Sequence, residues 1–136
     1  MWFVLAVDGI GEFPAAWAPL VVLAAAVGAY SCCEFAGFRT PPLEYSHRTA
    51  AEVEEDSWRR FATSTYVRFA LCEGVFLVSV AVAFVAESFW VVLIGAVLAL
   101  PLFFLEAWPS ERNQRRFAAA LESRGVASYL TGGVQD

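Results

Sequence analysis

Three long apolar runs constrain this chain more than any other feature of its sequence. They lie at residues 13–33, 69–86 and 88–105. Each run has about the 17–25 residues that an α-helix needs to cross the ~30 Å hydrocarbon core of a bilayer. The pattern predicts an all-α fold, that of a helical integral membrane protein forming one membrane domain over residues 1–136. The predicted transmembrane helices are residues 14–35, 66–86 and 88–108.

The composition excludes an ordinary soluble domain. Hydrophobic residues make up 59% of the chain and charged residues only 17%. Soluble domains are typically about 45–50% apolar and about 25% charged, so this chain has too little polar surface to cover a water-soluble core. The chain contains one histidine, His47, and no glycine-rich nucleotide-binding motif. We therefore expect no enzymatic activity, no small-molecule substrate and no nucleic-acid partner.

The positions of the basic residues predict the orientation in the membrane. All nine are arginines, and they lie either between the first two spans or after the third. Because loops rich in Lys and Arg stay in the cytoplasm, this distribution places the N-terminus outside. The loop 38–65 and the C-terminal tail are then cytoplasmic. The lack of lysine beside abundant Ala, Val and Arg indicates a bacterial source, and hence the cytoplasmic (inner) membrane of a bacterium.

Both predicted cytoplasmic segments carry helix signals. Thr49 and Glu52 have the spacing of a capping box, which predicts a helix before the second span. Ser110 is a candidate N-cap for an amphipathic cytoplasmic C-terminal helix over residues 110–125. The arginines of that helix are expected to contact the anionic headgroups of the inner leaflet. These are Arg112, Arg115 and Arg116.

Small residues recur on the first two spans at helical spacing. Such residues let two membrane helices approach closely, so we expect them to mediate helix packing. The candidates are Ala24 and Gly28 on the first span, and Ala70, Gly74 and Ala81 on the second. Because three short spans enclose little space, we expect the chain either to self-associate or to join a larger complex.

Glu73 is the one charged residue within the three apolar runs. An ionisable side chain in a membrane span is costly and therefore marks a candidate functional site. Its candidate partners are Arg68 and Arg39, or the hydroxyls of Ser31 and Tyr30 on the first span. Glu73 and Arg68 are the predicted proton or ion site.

The sequence around Glu73 resembles a known family of membrane proteins. Ala70-Leu71-Cys72-Glu73, followed by Ala83-Phe84, is similar to the carboxylate-bearing helix of the proteolipid (c-ring) subunits of rotary ATPases. In that family the glutamate lies on the second helix of a hairpin. The resemblance implies that Glu73 is a proton-binding carboxylate.

A further group of residues is expected at similar depth near the inner surface. It combines thiols and carboxylates, which together can bind soft or borderline metals. The group comprises Cys32, Cys33, Glu34, Cys72, Glu73 and Glu106. Adjacent cysteines lack the spacing of a zinc-binding pair, so packing explains these residues without a metal, and we expect no metal and no cofactor.

Two functions follow from these patterns. The favoured one is a non-enzymatic membrane scaffold or accessory subunit of a larger complex, whose partners are the lipid bilayer and either another membrane protein or a second copy of itself. The alternative is proton or ion handling through Glu73 in a homo-oligomer.

Overall fold

The computed structural model describes residues 12–132, and in this range every regular element is helical. The predicted extracytoplasmic N-terminal segment lies almost entirely outside the described residues. The α-helices are α1 (Trp17–Cys32), α2 (Ala50–Ala86), α3 (Trp90–Leu102) and α4 (Glu111–Leu121). Two π-helical segments, Cys33–Gly37 and Phe103–Ala107, extend α1 and α3.

Three of these helices are long and apolar enough to cross a membrane, as predicted. They are Trp17–Gly37, Ala50–Ala86 and Trp90–Ala107, with the π-helical segments included. At about 1.5 Å per residue, the 37 residues of α2 extend roughly 55 Å, well beyond a ~30 Å core. The helix predicted before the second span and that span itself are therefore one continuous helix.

The spans pack as a three-helix bundle around small and β-branched side chains. Ala18, Val22 and Ala26 of α1 are buried, as are Val75 and Ala83 of α2, and α3 contributes to the same core. Glu87, in the left-handed conformation, ends α2 and opens the short turn to α3. This turn joins α2 and α3 as a tight antiparallel hairpin.

A close approach in the bundle joins α2 to α3. An ideal Cβ built on Gly95 would lie 2.0 Å from the Oγ and 2.1 Å from the Cβ of Ser79. No side chain larger than hydrogen fits there without movement of one helix. This contact fixes which side of α2 faces the bundle interior.

A second core lies beyond the polar ends of the spans. Its elements are residues 38–49, the first turns of α2, helix α4 and residues 122–132, which we call the head. Phe38 and Leu43 pack against Phe61, Phe117 and Leu121. The backbone N–H of Leu43 donates to the carbonyl of Leu121 at 2.8 Å. The apolar side of α4 is thus covered by protein rather than left free for lipid.

Both predicted helix caps are present. Thr49 and Glu52 form the complete capping box of α2, and Ser110 accepts a hydrogen bond from the backbone N–H of Asn113. Helix α4 is shorter than predicted because it ends at Leu121. The following chain turns back, and the carboxylate of Glu122 there accepts hydrogen bonds from the N–H and hydroxyl of Ser128.

Candidate functional site

A fully buried arginine lies where the bundle meets the head. The Nη1 of Arg68 donates to the carbonyl of Glu106 at 2.6 Å, its Nε to the carbonyl of Ser64 at 3.3 Å, and its Nη2 to the hydroxyl of Thr65 at 3.1 Å. The guanidinium carbon lies 4.2 Å from the ring centroid of Phe38. Arg68 therefore joins α2 to the end of α3 and to the first residues of the head.

Helical spacing explains why Arg68 points inward. It lies on the same stripe of α2 as the buried residues Cys72, Val75 and Ser79. A Cβ on Gly37 would lie 2.8 Å from the Cγ of Arg68, so the glycine provides the space through which the side-chain stem passes. The hydroxyl of Ser64 donates to the carbonyl of the same glycine.

Glu106 is the buried carboxyl of this region. Neither of its carboxylate oxygens has a hydrogen-bond partner among the described residues. The Nη1 of Arg112 lies 3.9 Å from its Oε1, at the limit of an ion pair, and donates instead to the carbonyl of Leu105 at 3.2 Å. Buried polar groups without hydrogen-bond partners are rare in proteins and cost folding free energy. The carboxyl of Glu106 is therefore a candidate functional group.

Asn113 holds the end of the α3 extension. Its amide nitrogen donates to the carbonyls of Leu105, Glu106 and Trp108 at 3.1, 3.2 and 2.8 Å. These carbonyls lie where the helical hydrogen bonding ends, so the buried amide supplies donors that the helix no longer provides. The Oδ1 of Asn113 has no partner among residues 12–132.

A two-bond ion pair joins α4 to the end of the first span. The guanidinium of Arg116 donates to both carboxylate oxygens of Glu34 at 2.8 Å, which is the strong bidentate geometry. These hydrogen bonds raise the pKa of Arg116. Its guanidinium carbon lies 4.2 Å from the ring centroid of Phe38, so this ring contacts both Arg68 and Arg116. We call Glu34, Arg68, Glu106, Asn113 and Arg116 the polar layer.

Part of the predicted thiol and carboxylate group comes together next to the polar layer. Cys33 and Cys72 are buried and pack together with Ala107, the neighbour of Glu106 in the chain. Cys32 and Glu73 face away from this interior, as their exposure shows. Within residues 12–132, no three His, Cys, Asp or Glu side chains are arranged to hold a metal ion.

The structure does not bring Glu73 and Arg68 together. They are five residues apart, which is a rotation of about 140° on a helix, so one faces out and the other in. Glu73 lines a cavity of about 270 Å³ between α2 and α3, among apolar residues that include Phe69, Phe76 and Leu100. Its carboxylate forms no hydrogen bond or ion pair with the described residues.

The predicted helix-packing residues lie on the outside of the bundle. Ala24, Gly28, Ala70 and Ala81 are exposed, and Gly74 is half-buried. A Cβ on either glycine would have no neighbour within 4 Å. The helices of one chain do not pair through this set, because the contact between Ser79 and Gly95 turns a different stripe of α2 inward.

The three arginines predicted for the inner leaflet have different surroundings. Arg115 is mostly exposed and pairs with Glu111 on its own helix at 3.1 Å. Arg112 lies at the edge of the polar layer and Arg116 within it. Of the three, Arg115 is thus the one whose described side-chain contact stays within its own helix.

Sequence reasoning missed how the polar layer is connected. The sequence predicts Arg68 only as a partner for Glu73, and Glu106 only as a member of the thiol and carboxylate group. The available signal was that Arg68 shares a stripe with Cys72, Val75 and Ser79, at spacings of four, three and four residues. No sequence signal pairs Glu34 with Arg116, which are 82 positions apart.

No family model, curated protein or solved structure matches this chain.

Proposed function

We propose that this chain is a non-enzymatic scaffold or accessory subunit of a larger membrane complex. It lies in the cytoplasmic membrane of a bacterium, with its N-terminus outside and its head in the cytoplasm. All nine arginines occur at or beyond the head end of the spans, between residues 39 and 124. This asymmetry supports the orientation, because cytoplasmic loops are the ones enriched in arginine.

The proposal depends on small residues that lie uncovered on the outside of the bundle. Gly28 on α1 and Gly74 on α2 have open space where a side chain would extend. A glycine that no helix of its own chain covers lets a helix of another chain approach closely. The scaffold thus presents these surfaces to a partner helix, which belongs to another membrane protein or to a second copy of the chain.

The polar layer gives the scaffold its rigidity. Arg68 joins α2 to the end of α3, and the ion pair of Glu34 and Arg116 joins the end of the first span to α4. A partner bound in the membrane and another bound at the head are then held in a fixed relation. The head also presents exposed charges, such as the pair of Arg124 and Glu44 at 2.7 Å, on its surface.

Leucine substitutions at the two glycines test the proposal. Tagged wild-type protein is extracted in mild detergent, and the co-purifying chains are identified and counted. We expect a stoichiometric partner with the wild type and its loss in Gly28→Leu and Gly74→Leu. Val97→Leu is the matched control, since Val97 is 69% exposed on α3, a helix that carries neither glycine. A partner retained by both glycine variants would refute this use of the surface.

The second candidate function is proton or ion handling through Glu73 in a homo-oligomer. The observation that favours it is a carboxylate without a described partner at an apolar cavity of about 270 Å³. In proteoliposomes with an imposed pH gradient, this function requires proton flux that Glu73→Gln abolishes and Glu87→Gln, in the turn after α2, preserves. Equal flux in wild type and Glu73→Gln would exclude it.

A further inference from the structure

A basic groove lies on the outside of the molecule where the first span enters the head. Its volume is about 450 Å³, and it runs between the end of the π-helical segment Cys33–Gly37, the residues that follow it, and α2. One part is lined by guanidinium and hydroxyl groups, and the other by apolar side chains. The lining includes Arg39, Thr40, Arg59, Arg60, Thr63 and Val67.

The groove carries an excess of positive charge. Arg59 and Arg60 both contact the carboxylate of Asp56, at 3.0 and 2.9 Å, and Arg48 approaches the same carboxylate at 3.4 Å. The side chain of Arg39 is exposed and forms no hydrogen bond or ion pair with the described residues. One carboxylate therefore faces several guanidinium groups, and at least Arg39 is available to an external anion.

The groove also lies at the depth of lipid headgroups. Exposed aromatic rings mark the edge of the apolar surface at this end of the bundle, as Phe35 is 73% and Tyr66 74% exposed. Aromatic side chains of this kind concentrate at the membrane interface. Thr63 lies one turn beyond Val67 on α2, and Arg59 and Arg60 lie about one turn farther. The basic part of the groove thus begins where the hydrocarbon region ends.

We infer that this groove binds the headgroup of an anionic phospholipid. Guanidinium groups recognise phosphate oxygens through paired hydrogen bonds, and basic pockets beside membrane helices are suited to acidic lipid headgroups. The phosphate lies between Arg39 and Arg59, and the acyl chains run along the apolar surface at Val67. A soluble phosphate compound would leave the apolar side of the groove without a contact. This site is independent of the partner surface proposed above.

The test compares phosphatidylglycerol with phosphatidylcholine of identical acyl chains, added to delipidated full-length protein and counted by native mass spectrometry. We expect phosphatidylglycerol to bind at least about tenfold more tightly. The double variant Arg39→Gln/Arg59→Gln should lose roughly 25-fold in affinity, since each arginine near acidic lipid contributes about fivefold. Arg124→Gln, which removes one charge outside the groove and is the matched control for Arg39→Gln, should bind like the wild type.

Three outcomes would overturn the inference. They are equal binding of the two lipids, equal losses in the groove and control variants, and displacement of phosphatidylglycerol by millimolar glycerol 3-phosphate, which would assign the groove to soluble phosphates. The single variant Arg39→Gln should fold normally, because the side chain of Arg39 has no described contact to lose. A loss of binding in this variant is then not caused by misfolding. Arg39→Gln should keep the wild-type melting temperature and still bind phosphatidylglycerol about fivefold more weakly.

Discussion

Replacing Gly95 by alanine should push α2 and α3 apart. The added carbon would lie 2.0 Å from the Oγ and 2.1 Å from the Cβ of Ser79, whereas ordinary contacts begin near 3.4 Å. Rotating the Ser79 hydroxyl does not help, because its Cβ is fixed to the backbone. One helix must therefore move by more than 1 Å.

The size of the effect follows from two opposing contributions. Overpacking a tight contact costs about 1–3 kcal/mol, and this contact belongs at the upper end because two atoms clash. Within a helix, alanine is more favourable than glycine by about 1 kcal/mol, which offsets part of this cost. We expect a net loss of about 2 kcal/mol, which lowers the ratio of folded to unfolded protein by roughly 30-fold.

Reversible unfolding in mixed micelles, followed by tryptophan fluorescence, measures this loss. Gly28→Ala and Gly74→Ala are the matched controls, because a Cβ at either position meets nothing within 4 Å. Both should be as stable as the wild type or more stable by up to about 1 kcal/mol. Adding Ser79→Gly to Gly95→Ala should recover stability by removing the clashing atoms. If Gly95→Ala were as stable as the controls, the described packing of α2 on α3 would be wrong.

Three further predictions concern the polar layer and the head, all measured in the same unfolding assay. Arg68→Met should destabilise the protein by about 3 kcal/mol, because buried polar groups lose their charged partner; a loss below about 1 kcal/mol would show that Arg68 is not buried. A double-mutant cycle of Glu34→Gln and Arg116→Gln should give about 1 kcal/mol of coupling that weakens in high salt, and no coupling would contradict the bidentate pair. Thr49→Ala should cost about 1 kcal/mol by removing the cap of α2, whereas an unchanged stability would refute the capping box.

The spans and helix ends were predictable because their signals are local. A run of apolar residues has to be at least as long as the bilayer is thick, and Thr49 and Ser110 cap helices within three residues of themselves. The turn at Glu87 follows in the same way from two apolar runs separated by one charged residue. These features depend on no distant contact.

The orientation of each span about its own axis was not predictable. A helix in lipid is apolar on every side, so hydrophobic patterning does not reveal its inner face. The inner stripe of α2 depends on Ser79 meeting Gly95, a contact between two helices. For this reason the helix-packing residues predicted from the sequence are small residues that face outward.

Four of the five residues of the polar layer are candidates from the sequence, and Asn113 is not. Arg68 is predicted as the partner of Glu73, Arg116 as a contact to lipid headgroups, and Glu34 and Glu106 as members of the thiol and carboxylate group. Their pairing depends on the head, where Phe38 packs beside α4 and brings Arg116 to Glu34. Contacts over such sequence distances leave no local pattern.

Native mass spectrometry of the wild-type protein, extracted with its surrounding lipid and without detergent, tests the scaffold function most directly. The proposal predicts a defined assembly heavier than one chain, containing either a foreign membrane subunit or a fixed number of copies. A single chain carrying only lipid would contradict it, because the uncovered surfaces at Gly28 and Gly74 would then have no protein partner.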